Sequence, residues 1–514
     1  MSSQTQTLAA YDQLPYLANP LPQTHPSRLA AIAAMFGVSY VPPKNAKVLE
    51  LGCASGVNLL GMAHFMTGAK FVGIDLSMTQ IREAEQRAKA INATNVTFHH
   101  MSIEDVKPKL GQFDYIICHG VYSWVPPGVQ DAILRICREN LNDDGIAFVS
   151  YNVQPGWRMK QAARDVFMAL TPPDMPPTQR WEYGLSWIKD ALETTANDEQ
   201  KPLLHQALAN ELNNTLTQRD IRYLAHEYLE ENNEPCLFRD FLTKVNKAEL
   251  TYLGDIEPAS MVRHIIHPAL REFFKRRPPQ SMGETEQAID IITGRAFRQS
   301  LLLKGKSQTQ INRALTPEFF KKLHIQTRIT KSQDTDGQVV YKHPRLGQLT
   351  PNPPYGVAAL DTLVAYANKP TAFSELAKKF SESASGGNEG IFGDVLFSLL
   401  GAGLVDIYAD PYIPTLPKGA TPLAIMDIQS GREATSNYLG EMINLDPMQK
   451  FIIPHLKGEW DMKEVVSKLA ELYAKGQFTM EPAPADDDQL KTILEQLVNN
   501  IVDALKLHGI VGPM

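Results

Sequence analysis

Cysteine is scarce in this sequence. Cys53, Cys118, Cys137 and Cys236 are the only four in 514 residues, and no two are spaced as CxxC. That excludes a disulfide-stapled scaffold and a cysteine-type zinc site, and it fits a reducing compartment. A basic excess is also missing. The net charge is −7, and residues 351–514 alone hold 12 Lys and Arg against 21 Asp and Glu. Nucleic-acid affinity comes mostly from phosphates neutralised by Lys and Arg, so nucleic acid is excluded as the expected partner. No apolar run suits a membrane span. The best, "IFGDVLFSLLGAGLVDIYA", contains Asp394 and Asp406 and reads as a helix, a glycine stop and a strand. The opening "MSSQTQTLAAYDQLPYL" lacks the basic and apolar regions of a signal peptide. A cytoplasmic chain with no stable membrane insertion is expected.

What the sequence does have is a regular alternation of strand-like and helix-like stretches. A helix "SRLAAIAAMFG", with Ser27 placed to cap it, precedes the strands "AKVLELG", "KFVGIDL", "VTFHHM", "FDYIICHG" and "GIAFVSYN". Helices are expected near Leu59 to Phe65, over "MTQIREAEQRAKAI" and over "VQDAILRICREN". Such alternation predicts an α/β fold with a parallel sheet covered on both faces and a ligand crevice at the carboxyl ends of its strands. From about 161 to 325 the pattern turns helical, punctuated by "TPPDMPP" and "RRPPQSMG". A hairpin and linker are expected over 326–356, and winged-helix-like units over 357–420 and 421–514. The acidic balance of that half makes them interaction modules rather than DNA readers. The tripeptide Lys275-Arg276-Arg277 reads as a solvated helix end.

The first strand breaks into "VLELGCASGVN", a glycine turn before a helix. A dinucleotide fingerprint needs glycines at relative positions one, three and six, but from Gly52 these are Gly52, Ala54 and Val57. The pattern present is Glu50, Gly52 and Gly56, which suits S-adenosylmethionine, a ligand without phosphate, and disfavours NAD. Asp75 closes the second strand, where an acid accepts hydrogen bonds from both ribose hydroxyls, of NAD or S-adenosylmethionine equally; the plainer reading is a cap for the helix that follows. Glu50 closes the first strand, and a buried acid there requires a polar ligand, since an unpartnered one costs several kcal/mol, roughly.

After the third strand, Ser102 stands where methyltransferases commonly carry an acid toward adenine. Ile103 supplies an apolar wall, and whether Ser102, Glu104 or neither meets the base stays open. His99 and His100 alternate faces and make no metal site. The fourth strand delivers His119, Tyr122 and Trp124 to the crevice, and the fifth delivers Tyr151, Asn152 and Trp157 to the same rim. Aromatic faces hold an alkylammonium by cation–π attraction, worth roughly 0.5–2 kcal/mol, so a lysine acceptor fits. The plainer reading is that these rings pack the loop. "HEYLE", from His226 to Glu230, is not HExxH, since Glu230 occupies the second histidine's place; a structural helix is expected.

The stretches "YDQLPYLANPLPQTHPSRLAAIAAMFG", "VLELGCASGVNLLGMA", "CHGVYSWVP" and "SYNVQPGW" resemble bacterial class I methyltransferases that carry a methyltransferase regulatory domain. That family includes the protein-lysine methyltransferases of rickettsial outer-membrane proteins. "YLAHEYLEENNEPCLFRDFLTKVNKAELTYLGD" and "GRAFRQSLLLKG" resemble the regulatory domain, and "LDPMQKFIIPHLKG" the family's terminal winged helix.

The resemblance implies a Rossmann-like methyltransferase domain over 1–160 with an N-terminal lid, then a mostly helical middle domain. It implies S-adenosyl-L-methionine surrounded by Glu50, Gly52, Cys53, Ala54, Gly56, Asp75, Leu76, Ser102, Ile103 and His119. Tyr11, Tyr16 and His25 would close over it, and Tyr122, Trp124, Tyr151 and Asn152 would line the acceptor channel. Ala54 replaces a common glycine; an ordinary backbone angle is expected there. The expected partners are a protein substrate presenting lysine and, as a homodimer, a second copy of the chain. Small-molecule methylation and a cofactor-binding adaptor are the competing readings.

Overall fold

The computed structural model describes residues 18–196, 203–216, 220–305, 308–352, 354–367 and 369–512. Its centre is a sheet of β1 (Lys47–Leu51), β2 (Lys70–Asp75), β3 (Val96–His100), β4 (Phe113–Cys118), β5 (Leu141–Asn152), β6 (Leu250–Asp255) and β7 (Phe297–Lys304). Strand order is β3-β2-β1-β4-β5-β7-β6. The first five strands run parallel, as the alternation predicts. Helices α1 (Pro26–Met35), α2 (Val57–Phe65), α3 (Met78–Ala90) and α4 (Pro127–Glu139) accompany them.

Two features depart from expectation. The segment 161–325, read as helical, also supplies β6 and β7, which complete the sheet as antiparallel strands. β7 pairs with β5 from Ile146 to Asn152, so residues beyond 160 cover the edge that β5 would otherwise leave. The cap of α1 is His25 rather than Ser27: its Nδ1 accepts from the Ser27 N–H at 3.2 Å. The Ser27 hydroxyl instead donates to the Ala409 carbonyl at 2.6 Å.

Helices α5 (Arg158–Leu170), α6 (Pro177–Thr194), α7 (Leu203–Glu211) and α8 (Ile221–Leu229) form a cap with its own core around Phe167, Trp181 and Tyr228. Next comes α9 (Phe238–Lys247), whose Phe238, Phe241 and Val245 pack on one sheet face with Tyr151 and Leu302. The other face shares a continuous core with residues as distant as Phe320, Phe392 and Tyr408. There, strands His324–Thr327, Thr371–Ala372 and Val405–Tyr408 pair into a small sheet beside helices Phe373–Ser383 and Glu389–Gly401. Residues 330–349 form a three-stranded antiparallel meander. The terminal unit has a separate core around Ile452, Leu469, Leu494 and Val502. No helix among the described residues is long and apolar enough to cross a membrane.

Candidate active site

A cavity of about 570 Å³ opens at the carboxyl ends of β1, β2 and β4, where a parallel sheet exposes its loops. Gly52 stands on its wall with a φ of +73°. A Cβ there would lie 2.7 Å from Val121 Cγ2, so this position needs glycine for space as well as for angle. Cys53 and Ala54 continue the wall. Ala54 does not have the ordinary angle expected of it: its φ is +45°, a left-handed conformation that costs an L-residue roughly 1–2 kcal/mol. Gly56 is at +70° and starts α2, but a Cβ on it would meet the Phe98 ring at 2.6 Å and Ala84 at 3.0 Å. Gly56 therefore packs the turn against the core and does not line the cavity.

Asp75 ties the glycine turn to the N-cap of α3. Its Oδ2 accepts from the Ala54 N–H and its Oδ1 from the Ser77 N–H, each at 2.9 Å. Burial raises its pKa against the pull of those amides. Leu76, Ser102 and Ile103 extend the same wall. The Ser102 hydroxyl accepts from the Glu104 N–H at 3.4 Å, whereas Glu104 is not on the wall.

Glu50 is buried at 3% exposure. Its Oε1 accepts from Asn58 Nδ2 at 2.9 Å, while its Oε2 is buried with no partner. Burial, opposed by that hydrogen bond and assisted by the Asp75 charge, pushes its pKa to about 8. An orphaned carboxylate oxygen on a cavity wall asks for a cationic ligand.

The N-terminal segment crosses this site. The Leu21 N–H donates to Asn58 Oδ1 at 3.0 Å, and Ala18, Asn19 and Leu21 line the cavity. Gln23 Nε2 lies 3.3 Å from His119 Nε2. His119 is on the wall, stacked 5.9 Å from Phe148 and set edge-on 6.1 Å from Phe297. Protein around it lowers its pKa to about 4, which keeps the ring neutral at physiological pH. His25 is not on the wall. It is buried beside the Tyr438 backbone of the terminal unit, and desolvation, with the Arg28 charge, lowers its pKa to about 4. Tyr11 and Tyr16 lie outside the described residues.

The channel residues divide. Trp124 and Asn152 line the cavity, and Trp157 joins them, edge-to-face with Trp124 at 6.1 Å. The Asn152 N–H donates to Ser123 Oγ at 2.8 Å, which fixes the end of β5. Tyr122 and Tyr151 do not reach the cavity. Tyr151 stacks on Phe241 at 4.0 Å and shares a 3.0 Å hydrogen bond with the Ser300 hydroxyl. Tyr122 meets Phe241 edge-on at 5.4 Å, and its buried hydroxyl has no partner. The reason is periodicity. Neighbours on a strand face opposite ways, so Asn152 on the cavity sends Tyr151 into the core. In the 3₁₀ turn Tyr122–Trp124, residues two apart likewise fall on different sides.

Residues not foreseen from the sequence complete the far end. Lys160 comes from α5, Tyr223, His226 and Glu227 from α8, and Ala296 and Phe297 from the entry to β7. Two of them, His226 and Glu227, lie in "HEYLE", which the sequence marked only as a structural helix. His226 Nδ1 meets Glu230 Oε1 at 2.6 Å, so the pair engages itself across one helical turn. Among the described residues no group of three or more His, Cys, Asp or Glu is arranged to hold a metal.

Comparison with known proteins agrees with this arrangement. Residues 42–204 match the methyltransferase domain family, 220–304 the predicted methyltransferase regulatory domain, and 417–510 the PKMT C-terminal winged helix domain. The uncharacterized protein RP789 of Rickettsia prowazekii is 31% identical over 497 residues, covering 91% of this chain and 87% of that protein. The structure of PKMT2 from Rickettsia typhi superposes with a TM-score of 0.83 at 25% identity, covering 97% of this chain and all of that one. Its complex with AdoHcy gives 0.80 at 26% identity, covering 96% and 99%. S-adenosylmethionine is the cofactor, and the orphaned Glu50 oxygen, the Asp75 carboxylate and the close approach at Gly52 fit it. The chain belongs to the bacterial class I S-adenosylmethionine-dependent methyltransferases that carry a regulatory domain, the family of the rickettsial protein-lysine methyltransferases.

Proposed function

We propose that this methyltransferase acts on lysine side chains of a protein. The observation that carries the reading is the far end of the cavity, where Trp124 and Trp157 stand together and the Lys160 ammonium lies 5.1 Å over the Trp157 ring. An indole wall that already holds one alkylammonium is chemically suited to another. The cap supports a macromolecular acceptor as well. It exposes Met159, Tyr183, Trp187, Leu203 and Leu204, more apolar surface than a small acceptor would use.

Each group then has a stated task. Glu50, with Asn58 behind it, faces the amino end of the cofactor, Asp75 the ribose, and Ser102 with Ile103 the adenine; Cys53, Leu76 and neutral His119 complete that wall. When bound, the cofactor supplies a methyl group made electrophilic by its sulfonium. Trp124 and Asn152 orient the acceptor amine and exclude water from it, which is where most of the rate gain from positioning arises.

Tritiated S-adenosylmethionine, the purified chain and lysate from a strain lacking the gene test this. Methyl-lysine recovered from a labelled protein band is the expected result. Label confined to small molecules would replace the acceptor class. Absence of label despite measured cofactor binding would make the chain an adaptor.

A further inference from the structure

Lys160 is the one Lys or Arg among the described residues lining the cavity, and its surroundings are specific. Its Nζ donates to Glu227 Oε1 at 2.9 Å and lies over the Trp157 ring at 5.1 Å. The Glu227 side chain is 13% exposed, that of Lys160 25%. A carboxylate this enclosed on a cavity wall needs a cation, whereas lysine's long flexible stem lets its own ammonium leave for solvent.

We propose that the Glu227 carboxylate and the Trp157 ring form an ammonium-binding subsite for the acceptor. Lys160 fills it in the resting chain, and an acceptor lysine enters by displacing Lys160. The inference rests on the lysine reading above and adds the residues that recognise the amine. Exchanging one ammonium for another keeps Glu227 paired throughout, so entry never leaves a buried charge alone. A neutral alkyl alcohol or an acid gains nothing from the exchange. The subsite therefore selects cationic alkylamines. It also places recognition on α8 and on the turn that enters α5, while the cofactor is held by the sheet.

The probe is n-butylammonium chloride, with n-butanol as the neutral control, and binding is read by NMR on the full chain. Lys160→Met vacates the subsite, and n-butylammonium should bind that variant at least tenfold more tightly than the wild type. Adding Glu227→Gln should remove the gain, and n-butanol should show none. Cofactor affinity, followed by calorimetry, should stay within threefold in every variant, which certifies the cavity. If Lys160→Met loses cofactor affinity, Lys160→Gln, which keeps a polar side chain at the same place, carries the same expectation.

Equal binding of n-butylammonium by wild type and variant would overturn the proposal and make the ion pair a staple between two helices. So would a gain that survives Glu227→Gln. Methyl-lysine formed in lysate without amine binding here would overturn the subsite and leave the lysine reading intact. Amine binding with label on no lysine would overturn the lysine reading alone.

Discussion

The floor of the cavity is the carboxyl end of a seven-stranded sheet packed on both faces, with cores that run from Leu29 to Leu439 on one side and through Phe241 on the other. The cap over it, helices α5 to α8, stands on a small core of its own, where Phe167 stacks on Trp181 at 4.6 Å. On the proposed reading, cofactor groups come from the floor, and acceptor groups from both parts: Trp124 and Asn152 from the floor, Glu227 from the cap. Rigid β-ends suit a ligand that is the same in every turnover, and a separately cored helical unit can change its acceptor chemistry without disturbing the sheet.

The most drastic way to break this contrast is to cut the chain at 160. β5 would then lose β7, its partner from Ile146 to Asn152, and expose Phe148 and Val149 among others. The fragment is expected to show no cooperative melting by circular dichroism and no cofactor binding by calorimetry. A soluble fragment that binds would mean the floor is complete without the later strands.

Trp124 and Tyr122 sharpen the contrast at residue level. Trp124→Ala should reduce transfer to protein by ~10–100-fold, through lost alignment and cation–π attraction, with cofactor affinity within about threefold. Tyr122→Phe should leave transfer unchanged and raise the melting temperature slightly, because it removes a buried hydroxyl without a partner. A transfer defect in Tyr122→Phe would return that ring to the channel.

The floor also has a pH signature. The folded pKa of Glu50, about 8, lies above its unfolded value of ~4.3, so its neutral form is favoured in the free protein. Its contribution to stability is therefore fully present below the unfolded value and is lost as pH rises toward 8. A cationic ligand reverses the preference. Cofactor affinity should rise roughly tenfold between pH 6.5 and 8, with Glu50→Gln giving a flat profile by calorimetry. The smallest effect is expected at Ala54→Gly. Relief of its φ of +45° should stabilise the chain by ~0.5–1 kcal/mol in urea unfolding, and a destabilised variant would refute the strain.

Sequence alone was informative where local chemistry decides the structure. The helices over Met78–Ala90 and Pro127–Glu139 follow from spacing, and Asp75 and Gly52 from the type of residue at a strand's end. β6 and β7 were illegible because each sits among helices, and β7's pairing with β5, about 150 residues earlier in the chain, is a tertiary event, with β6 joining the sheet only through β7. Tyr151 was misread because chemical type suggested a site while the period of two along β5 pointed it inward. Lys160 carries no motif at all, and Glu227 lies inside "HEYLE", which reads only as a structural helix. Only packing of α5 against α8 makes them neighbours.

Arg432, in the terminal unit, donates to the Ala18 carbonyl at 2.7 Å, on the segment that crosses the cofactor site. Nearby, Asp427 accepts from Arg87 at 2.5 Å and from the Thr435 hydroxyl at 2.8 Å. More than four hundred residues of chain thus return to fasten the crossing segment. Cofactor binding and seating of the terminal unit are therefore expected to share free energy, and such linkage is reciprocal. Whatever lifts that unit away weakens the hold on cofactor by the same factor by which cofactor tightens the seating, so S-adenosylhomocysteine should slow proteolytic removal of residues beyond 417.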